Sequence, residues 1–126
     1  MEGYFYTKEH EWVTVRDDTA TVGITDFAQK QLGDIVFIEF PSLGSVYSQG
    51  DEISVIESVK AASEIYAPIS GKVITCNDAV EGSPDLVNLN PEGDGWLFKI
   101  SEIESQELNS LLSHSEYEEY IKKITE

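Results

Sequence analysis

The stretch ISVIESVKAASEIYAPISG, residues 53–71, decides the fold because apolar side chains alternate on both sides of one lysine. Ile53 and Val55 alternate with polar residues before Lys60, and apolar residues recur at every second position from Ile65 onward. A period of two is that of a β-strand, whose successive side chains point to opposite faces. The stretch therefore predicts two antiparallel strands joined by a tight turn, with Lys60 at the tip.

A helix over residues 55–66 is the competing interpretation. It would place Lys60 and Glu64 one turn apart, a pairing that contributes only about 0.2–0.5 kcal/mol. Gly50 and Gly71 flank the lysine at nearly equal distances, and glycine permits the positive φ that ends paired strands in tight turns. We therefore favour the hairpin, whose tip is where an external enzyme reaches an ε-amine.

The net charge of the chain limits the classes of partner that it is expected to bind. The chain has 126 residues, the length of one domain, and its 24 acidic and 8 basic residues give a net charge of −16. Nucleic acids and anionic membranes repel such a surface, so neither is expected as a partner. The acidity serves solubility, docking to partners with basic surfaces, or both.

The cysteine content and the N-terminus bear on location. Cys76 is the single cysteine, which excludes an internal disulfide and fits a reducing compartment. No apolar run approaches the roughly 20 residues of a membrane helix. The N-terminal residues do not resemble a targeting peptide, so we expect a cytoplasmic, bacterial-type protein, mitochondrial only as a processed form.

The rest of the chain predicts a mainly β core, residues 1–101, and a helical tail, residues 102–126. Thr25 is a candidate N-cap and Gly33 a candidate C-terminal residue for a short helix near 26–32. Residues 78–95 predict a long connection, because they carry two prolines and three glycines. In the tail, Ser113 followed by Glu116 is a capping box, and two short helices are expected. The strands predicted outside the hairpin lie at 12–15, 20–24, 35–40, 72–77 and 96–100.

Four motifs occur in order along the chain: KEHEWV at 8–13, VGITDFAQKQLGDIVFIEFPSLG at 22–44, ESVKAASE at 57–64, and SPDLVNLNPEGDGWLFKI at 83–100. Together they resemble the glycine cleavage system H-protein family over nearly the whole chain. This resemblance implies a barrel-sandwich hybrid of the lipoyl/biotinyl type, with two antiparallel sheets, a short internal helix and C-terminal helices. It implies one lipoyl-carrier domain over residues 1–126, expected to be a monomer.

The resemblance also implies a function. Lipoate would be joined by an amide to Lys60, and the protein would be a carrier with no catalytic residues of its own. The aminomethyl group of glycine would pass from the pyridoxal-phosphate enzyme glycine decarboxylase to aminomethyltransferase, which uses tetrahydrofolate. Dihydrolipoamide dehydrogenase would reoxidise the carrier, and a lipoate-attaching enzyme would modify it. The motif residues around the lysine are Glu57, Ser58, Val59, Ala61 and Ser63.

By the same resemblance, Glu11, Gln31 and Glu64 match positions of a cleft that receives the lipoyl arm. A carboxylate there would hold a protonated amine by a charge-assisted hydrogen bond. The sequence departs from the family at three positions. Gln31 stands where some relatives have His, and Glu64 stands where many have Asp. Glu92 stands where Tyr is common.

Two other kinds of protein compete with this assignment. The first is a different carrier, either a biotinyl domain or a lipoyl domain of a 2-oxo acid dehydrogenase. Biotinyl domains usually flank the lysine with Met, where this chain has Val59 and Ala61. Dehydrogenase lipoyl domains usually carry Asp before the lysine and lack the HEW start and the helical tail. The second is an unmodified interaction protein with the same fold.

The sequence offers little support for a metal site or for a catalytic nucleophile. His10 and His114 are far apart in sequence, and neither has a second candidate ligand nearby, so we expect no metal site. We interpret His10 as a structural or surface residue beside Trp12. No G-x-S-x-G motif is present, and Cys76 lies in a β pattern that predicts a small core residue.

Overall fold

The computed structural model describes residues 3–125, which form two antiparallel β-sheets with helices at their margins. The larger sheet has the strand order β1-β2-β3-β9-β8-β5, and the smaller has the order β4-β6-β7. Within the described residues both sheets are open, so the strands form no closed barrel. The strands are β1 Tyr4–Tyr6, β2 Glu11–Arg16, β3 Thr19–Ile24, β4 Ile35–Glu39, β5 Val46–Tyr47, β6 Glu52–Ser58, β7 Ala62–Tyr66, β8 Gly71–Cys76 and β9 Phe98–Ser101.

The helices are short, and the longest is at the C-terminal end. They are α1 Asp26–Leu32, α2 Asp78–Gly82, α3 Leu86–Leu89, a 3₁₀ helix Ser105–Ser110, and α4 His114–Thr125. The mainly β fold with an internal helix and C-terminal helices is therefore confirmed. No helix within residues 3–125 has the length and apolar character needed to cross a bilayer.

The core lies between the two sheets. The hairpin of β6 and β7 contributes Ile56, which is fully buried, and Ile53 and Ile65, which are 5 % and 4 % exposed. Burying each such side chain stabilises the fold by about 1.5–3 kcal/mol. On the β7 side the alternation from Ile65 onward is the pattern of the core-facing side chains. On the β6 side the register shifts between Glu52 and Ser54. Ile56 therefore faces the core and Val55 is only half-buried, unlike the predicted alternation of Ile53 and Val55.

Helix α1 begins and ends where its sequence signals predict. The Thr25 hydroxyl accepts a hydrogen bond from the Ala28 N–H at 3.2 Å, which caps the N-terminus. Gly33 ends the helix at φ +81° and donates its N–H to the Gln29 carbonyl. This conformation is available to glycine at little cost, so the helix stops there and the chain turns into β4.

The two glycines that flank the hairpin have different roles. Gly50 adopts φ +92°, and its N–H donates to the Ala67 carbonyl, as expected of a turn glycine. Gly71 differs from the expectation, because β7 already ends at Tyr66 and Gly71 begins the next strand. A methyl group at Gly71 would lie 2.3 Å from a methyl of Ile100, so glycine is required by the close approach of β8 and β9.

Two further differences concern connections. The predicted connection over 78–95 contains α2 and α3, which are each too short to show helical periodicity. The structure also adds β1, which pairs with β2. In the tail, the capping box is confirmed: Glu116 donates its N–H to the Ser113 hydroxyl, and its carboxylate accepts the Ser113 N–H.

A cluster of three buried aromatic residues, Tyr6, Trp12 and Tyr117, docks α4 onto the body of the protein. We call this cluster the aromatic anchor. The rings of Tyr6 and Tyr117 stack with centroids 4.8 Å apart. The Tyr117 hydroxyl lies 2.7 Å from Thr25 Oγ1 and 2.9 Å from His10 Nδ1. The anchor therefore ties α4 to the N-terminus of α1.

Candidate functional site

The turn between β6 and β7 carries Lys60, and the Ser58 side chain closes it. Ser58 donates its N–H to the Ala61 carbonyl at 2.8 Å, and the Ser58 hydroxyl accepts the Ala61 N–H at 3.1 Å. A serine hydroxyl that bonds backbone in this way stabilises a tight turn. The turn holds Val59 and Lys60 at the exposed end of the hairpin.

The C-terminal end of α1 supports this turn from one side. Val59 donates its N–H to the Asp34 carbonyl at 3.0 Å. The stem of Lys60 lies against Gly33, because a methyl group at Gly33 would be 3.4 Å from Lys60 Cε. Lys60 therefore leaves a backbone that is fixed at two places, and its side chain is exposed.

Asn88 on α3 fixes the supporting segment. Its side-chain oxygen accepts the Ile35 N–H at 2.9 Å, and its amide donates to the Gly33 carbonyl and to Gln29 Oε1, both at 2.9 Å. One amide thus satisfies backbone groups on both sides of Asp34. Sequence reasoning missed Asn88, whose partners are more than 50 residues away along the chain.

The Lys60 amine is exposed and makes no salt bridge within residues 3–125. Glu57 lies opposite Phe37 on one side and Ala62 on the other, and Glu64 lies opposite Val55. Neither carboxylate pairs with the lysine, so the amine is available to an acylating enzyme. The small side chains of Ala61 and Ala62 leave the approach open.

Alternate residues of β7 lead from the tip towards the large sheet. Ala62, Glu64 and Tyr66 have the same parity and therefore share one face of the strand. Partial desolvation and the nearby Glu64 carboxylate raise the pKa of Tyr66. This face ends at a cavity of about 260 Å³ whose lining includes Tyr66 and Glu11.

Glu11 is the buried carboxyl at this cavity. It is 1 % exposed, and its two oxygens accept the Thr7 hydroxyl at 2.6 Å and the Tyr66 N–H at 3.1 Å. Burial raises the pKa of Glu11 to about 7, although both hydrogen bonds act in the opposite direction. The carboxyl therefore changes its charge near neutral pH while bridging β2 and β7.

Gln31 lies apart from the carboxyl groups of Glu11 and Glu64. It is exposed on the last turn of α1, two residues before the glycine that contacts the lysine stem. Within residues 3–125 no hydrogen bond links Glu11, Gln31 and Glu64 to one another. The tip thus has Gln31 on the α1 side, while Glu64 and Glu11 lie along the β7 side.

The remaining candidates have structural contacts. His10 packs on Phe27 with ring centroids 4.7 Å apart and bonds Tyr117, and burial lowers its pKa. Cys76 is partly buried at the edge of the core, and desolvation raises the pKa of its thiol. No group of three metal-ligating side chains occurs among the described residues.

Glu92, one of the departures from the family pattern, supports the start of α1. Its carboxylate accepts the Asp26 N–H at 3.0 Å, and its backbone carbonyl accepts the Tyr4 hydroxyl at 2.8 Å. An anion at a helix N-terminus is favourable, so this glutamate contributes to the position of α1.

Comparison with known proteins agrees with this geometry. The family profile described as Glycine cleavage H-protein matches residues 4–124. A glycine cleavage system H protein of Xanthobacter autotrophicus is 52 % identical over 124 residues, covering 98 % of this chain and 99 % of that protein. A mitochondrial glycine cleavage system H protein of Dictyostelium discoideum is 51 % identical, covering 94 % of this chain and 82 % of that protein.

The fold is also shared with a solved structure. The crystal structure of a glycine cleavage system H protein from Mycobacterium marinum superposes with a TM-score of 0.84 and 32 % sequence identity. The superposition covers 98 % of this chain and 97 % of the other. The chain therefore belongs to the glycine cleavage H-protein family.

Proposed function

We propose that this protein is the lipoyl carrier of the glycine cleavage system, with lipoate attached as an amide to Lys60. It carries the aminomethyl group of glycine from glycine decarboxylase to aminomethyltransferase and is then reoxidised by dihydrolipoamide dehydrogenase. The observation that supports this best is the exposed Lys60 amine, which forms no ion pair within residues 3–125, on a fixed β-turn within the family's ESVKAASE motif.

The site fits such a modification chemically. Lys60 must lose a proton before its nitrogen attacks the activated carboxyl of lipoate. The new amide bond replaces the bond to the activating group, which leaves with its electron pair, and the nitrogen releases a second proton. When bound, lipoate supplies a redox-active dithiol, so the single cysteine of the chain is consistent with redox carriage.

The motif residues have separable roles in this proposal. Ser58 closes the turn, and Val59 binds it to Asp34. Ala61 leaves space beside the amine. Glu57 and Ser63 lie on the two strands of the hairpin, where an attaching enzyme meets them on either side of the lysine.

We assign the cleft to the β7 side of the tip. Glu64 is exposed on the face that leads from the lysine to the cavity beside Tyr66, and it is positioned to attract a protonated amine. Glu11 lies at the end of this path with its oxygens bonded to Thr7 and Tyr66. Gln31 borders the tip from α1.

The protein acts as a carrier and supplies no catalytic residue. We propose one lipoyl-carrier domain over residues 1–126, with a β core to residue 101 and the tail from 102, acting as a monomer in the cytoplasm. Its partners are glycine decarboxylase, aminomethyltransferase, dihydrolipoamide dehydrogenase and a lipoate-attaching enzyme. The alternatives are another lipoyl or biotinyl carrier, or an unmodified interaction protein.

Lys60→Arg tests the proposal, because arginine keeps the positive charge but has no amine to acylate. The variant is expected to fold normally, to gain no lipoyl mass, and to lose glycine-dependent carbon dioxide exchange. Lys72→Arg, at a lysine of β8 whose side chain is 45 % exposed, is the control and is expected to behave as wild type. Retained exchange in Lys60→Arg would refute the assignment.

A further inference from the structure

The edge strand β4 exposes two consecutive apolar side chains beside the tip. Ile35 pairs with Ser58 and Phe37 with Glu57, which leaves Val36 as the extra residue of a β-bulge. Val36 and Phe37 are 53 % and 52 % exposed, whereas Ile35 remains buried. A regular strand turns one of two neighbours inward, and a bulge re-aims the side chains.

Val59 extends this apolar surface onto the turn. It is 69 % exposed, and its N–H is bound to Asp34. Phe37 lies opposite Glu57, three residues from Lys60 and therefore roughly 10 Å from it along the strand. We call the surface formed by Val36, Phe37 and Val59 the tip platform.

Acidic side chains surround the platform. Asp34 directly precedes β4, Glu57 lies opposite Phe37, and Glu39 lies farther along β4, all of them exposed. Glu81 lines the same groove of about 430 Å³ along β4 as Val36 and Phe37. A surface that covers the platform must therefore be apolar at its centre and basic at its rim.

The length of the lysine side chain indicates which partner covers the tip platform. A lysine side chain extends about 6 Å from its Cα, so an enzyme that acylates Lys60 must contact the protein around the turn. The other partners act on the attached group and have no need to reach the amine itself. The attaching enzyme is thus the partner for which contact with the platform is unavoidable.

From this we infer that the tip platform is the docking surface for the lipoate-attaching enzyme, which meets it with an apolar contact ringed by Lys and Arg. The inference rests on the proposed attachment at Lys60. Loss of one half-exposed aromatic from such an interface is expected to weaken binding about tenfold.

The test uses the unmodified full-length protein, a purified lipoate ligase, lipoate and ATP. Modification is followed by the mass of the Lys60 peptide, and binding of the unmodified protein to the ligase by calorimetry. Phe37→Ser is expected to raise the KM for the carrier about tenfold with kcat within about twofold of wild type, and to weaken binding in parallel. Val36→Ser is expected to act in the same direction, and added salt to raise the wild-type KM.

Val46→Ser is the matched control, since Val46 is 74 % exposed on β5 in the other sheet. It is expected to leave KM and binding unchanged. A KM for Phe37→Ser equal to that of Val46→Ser would overturn the inference. Normal attachment with impaired exchange by glycine decarboxylase would also overturn it, because the platform would then serve a different partner. A wild-type protein that gains no lipoyl group on Lys60 would instead refute the proposed function itself.

Discussion

The two ends of α1 face opposite environments. At its N-terminus, Thr25 is 1 % exposed and its hydroxyl contacts the Tyr117 hydroxyl within the aromatic anchor. At its C-terminus, Gly33 and Asp34 support a turn whose lysine is exposed and forms no ion pair with any residue that the structure describes. One helix of seven residues therefore connects a buried cluster of polar contacts to the turn that bears the exposed Lys60.

This difference shows how stability and accessibility are divided between the two regions. At the anchor, each hydroxyl and ring nitrogen named above has a partner, as burial requires. At the tip, hydrogen bonds fix the backbone, while the Lys60 amine has no hydrogen-bond partner in the part of the chain that the structure describes. A carrier needs both, because the amine must be placed reproducibly, be open to the attaching enzyme, and then present the attached group to the later partners.

The largest expected effect comes from removing the anchor. Tyr117→Ala deletes a buried ring and leaves Thr25 and His10 without their shared partner, which should lower the free energy of unfolding by about 3–5 kcal/mol. Denaturant unfolding measures this loss. The folded fraction is expected to accept lipoate at the wild-type rate. Tyr120→Ala, on the same helix but only partly buried, is the control, and an equal loss in the two variants would contradict the anchor's role.

A smaller effect concerns pH. Because the pKa of Glu11 rises from 4.5 to about 7 on folding, the folded protein keeps a proton that the unfolded chain releases in this interval. The protonated Glu11 therefore contributes fully to the free energy of unfolding below about pH 4.5. This contribution decreases by about 3 kcal/mol as the pH rises through 7. Glu11→Gln should remove this dependence in urea unfolding at about pH 5 and pH 8.

Glu64→Gln, at an exposed carboxylate, is the control for this experiment and should keep the wild-type slope. A Glu11→Gln variant with an unchanged slope would show that the buried carboxyl is ionised throughout the range. The cavity beside Tyr66 would then carry a fixed negative charge rather than a titrating one.

The smallest effect is expected where α1 meets the tip. Gly33 has φ +81° and ψ −155°, a region that is strained for other residues by about 1–3 kcal/mol. Gly33→Ala should lower the free energy of unfolding by this amount through backbone strain alone, because the added methyl would meet the Lys60 stem only at an ordinary contact distance of 3.4 Å. Gly82→Ala, where a methyl group meets open space and φ is not positive, is the control. Equal stability of the two variants would contradict the strain argument.

The features that sequence predicts well are those whose signals are local. The hairpin follows from alternation within residues 53–69, and α1 from Thr25 and Gly33 at its ends. The turn bearing Lys60 lies within the hairpin, between its two apolar alternations, so its place in the sequence is predicted without any distant contact. The same holds for the capping box of α4.

The features that sequence does not predict depend on contacts between distant segments. Burial of Glu11 requires the Tyr66 N–H, 55 residues away, and the support of the tip requires Asn88, 53 residues from Ile35. The bulge at Val36 is set by the pairing of β4 with β6. Gly71 was expected to end a strand because its constraint, contact with Ile100, comes from another strand.

The most direct test of the account is peptide-resolved mass spectrometry of the protein purified from cells that synthesise lipoate. The account predicts a lipoyl group, joined as an amide, on the peptide that contains Lys60 and on no other lysine. A biotinyl group at Lys60, a lipoyl group at another lysine, or an unmodified Lys60 in such cells would contradict it.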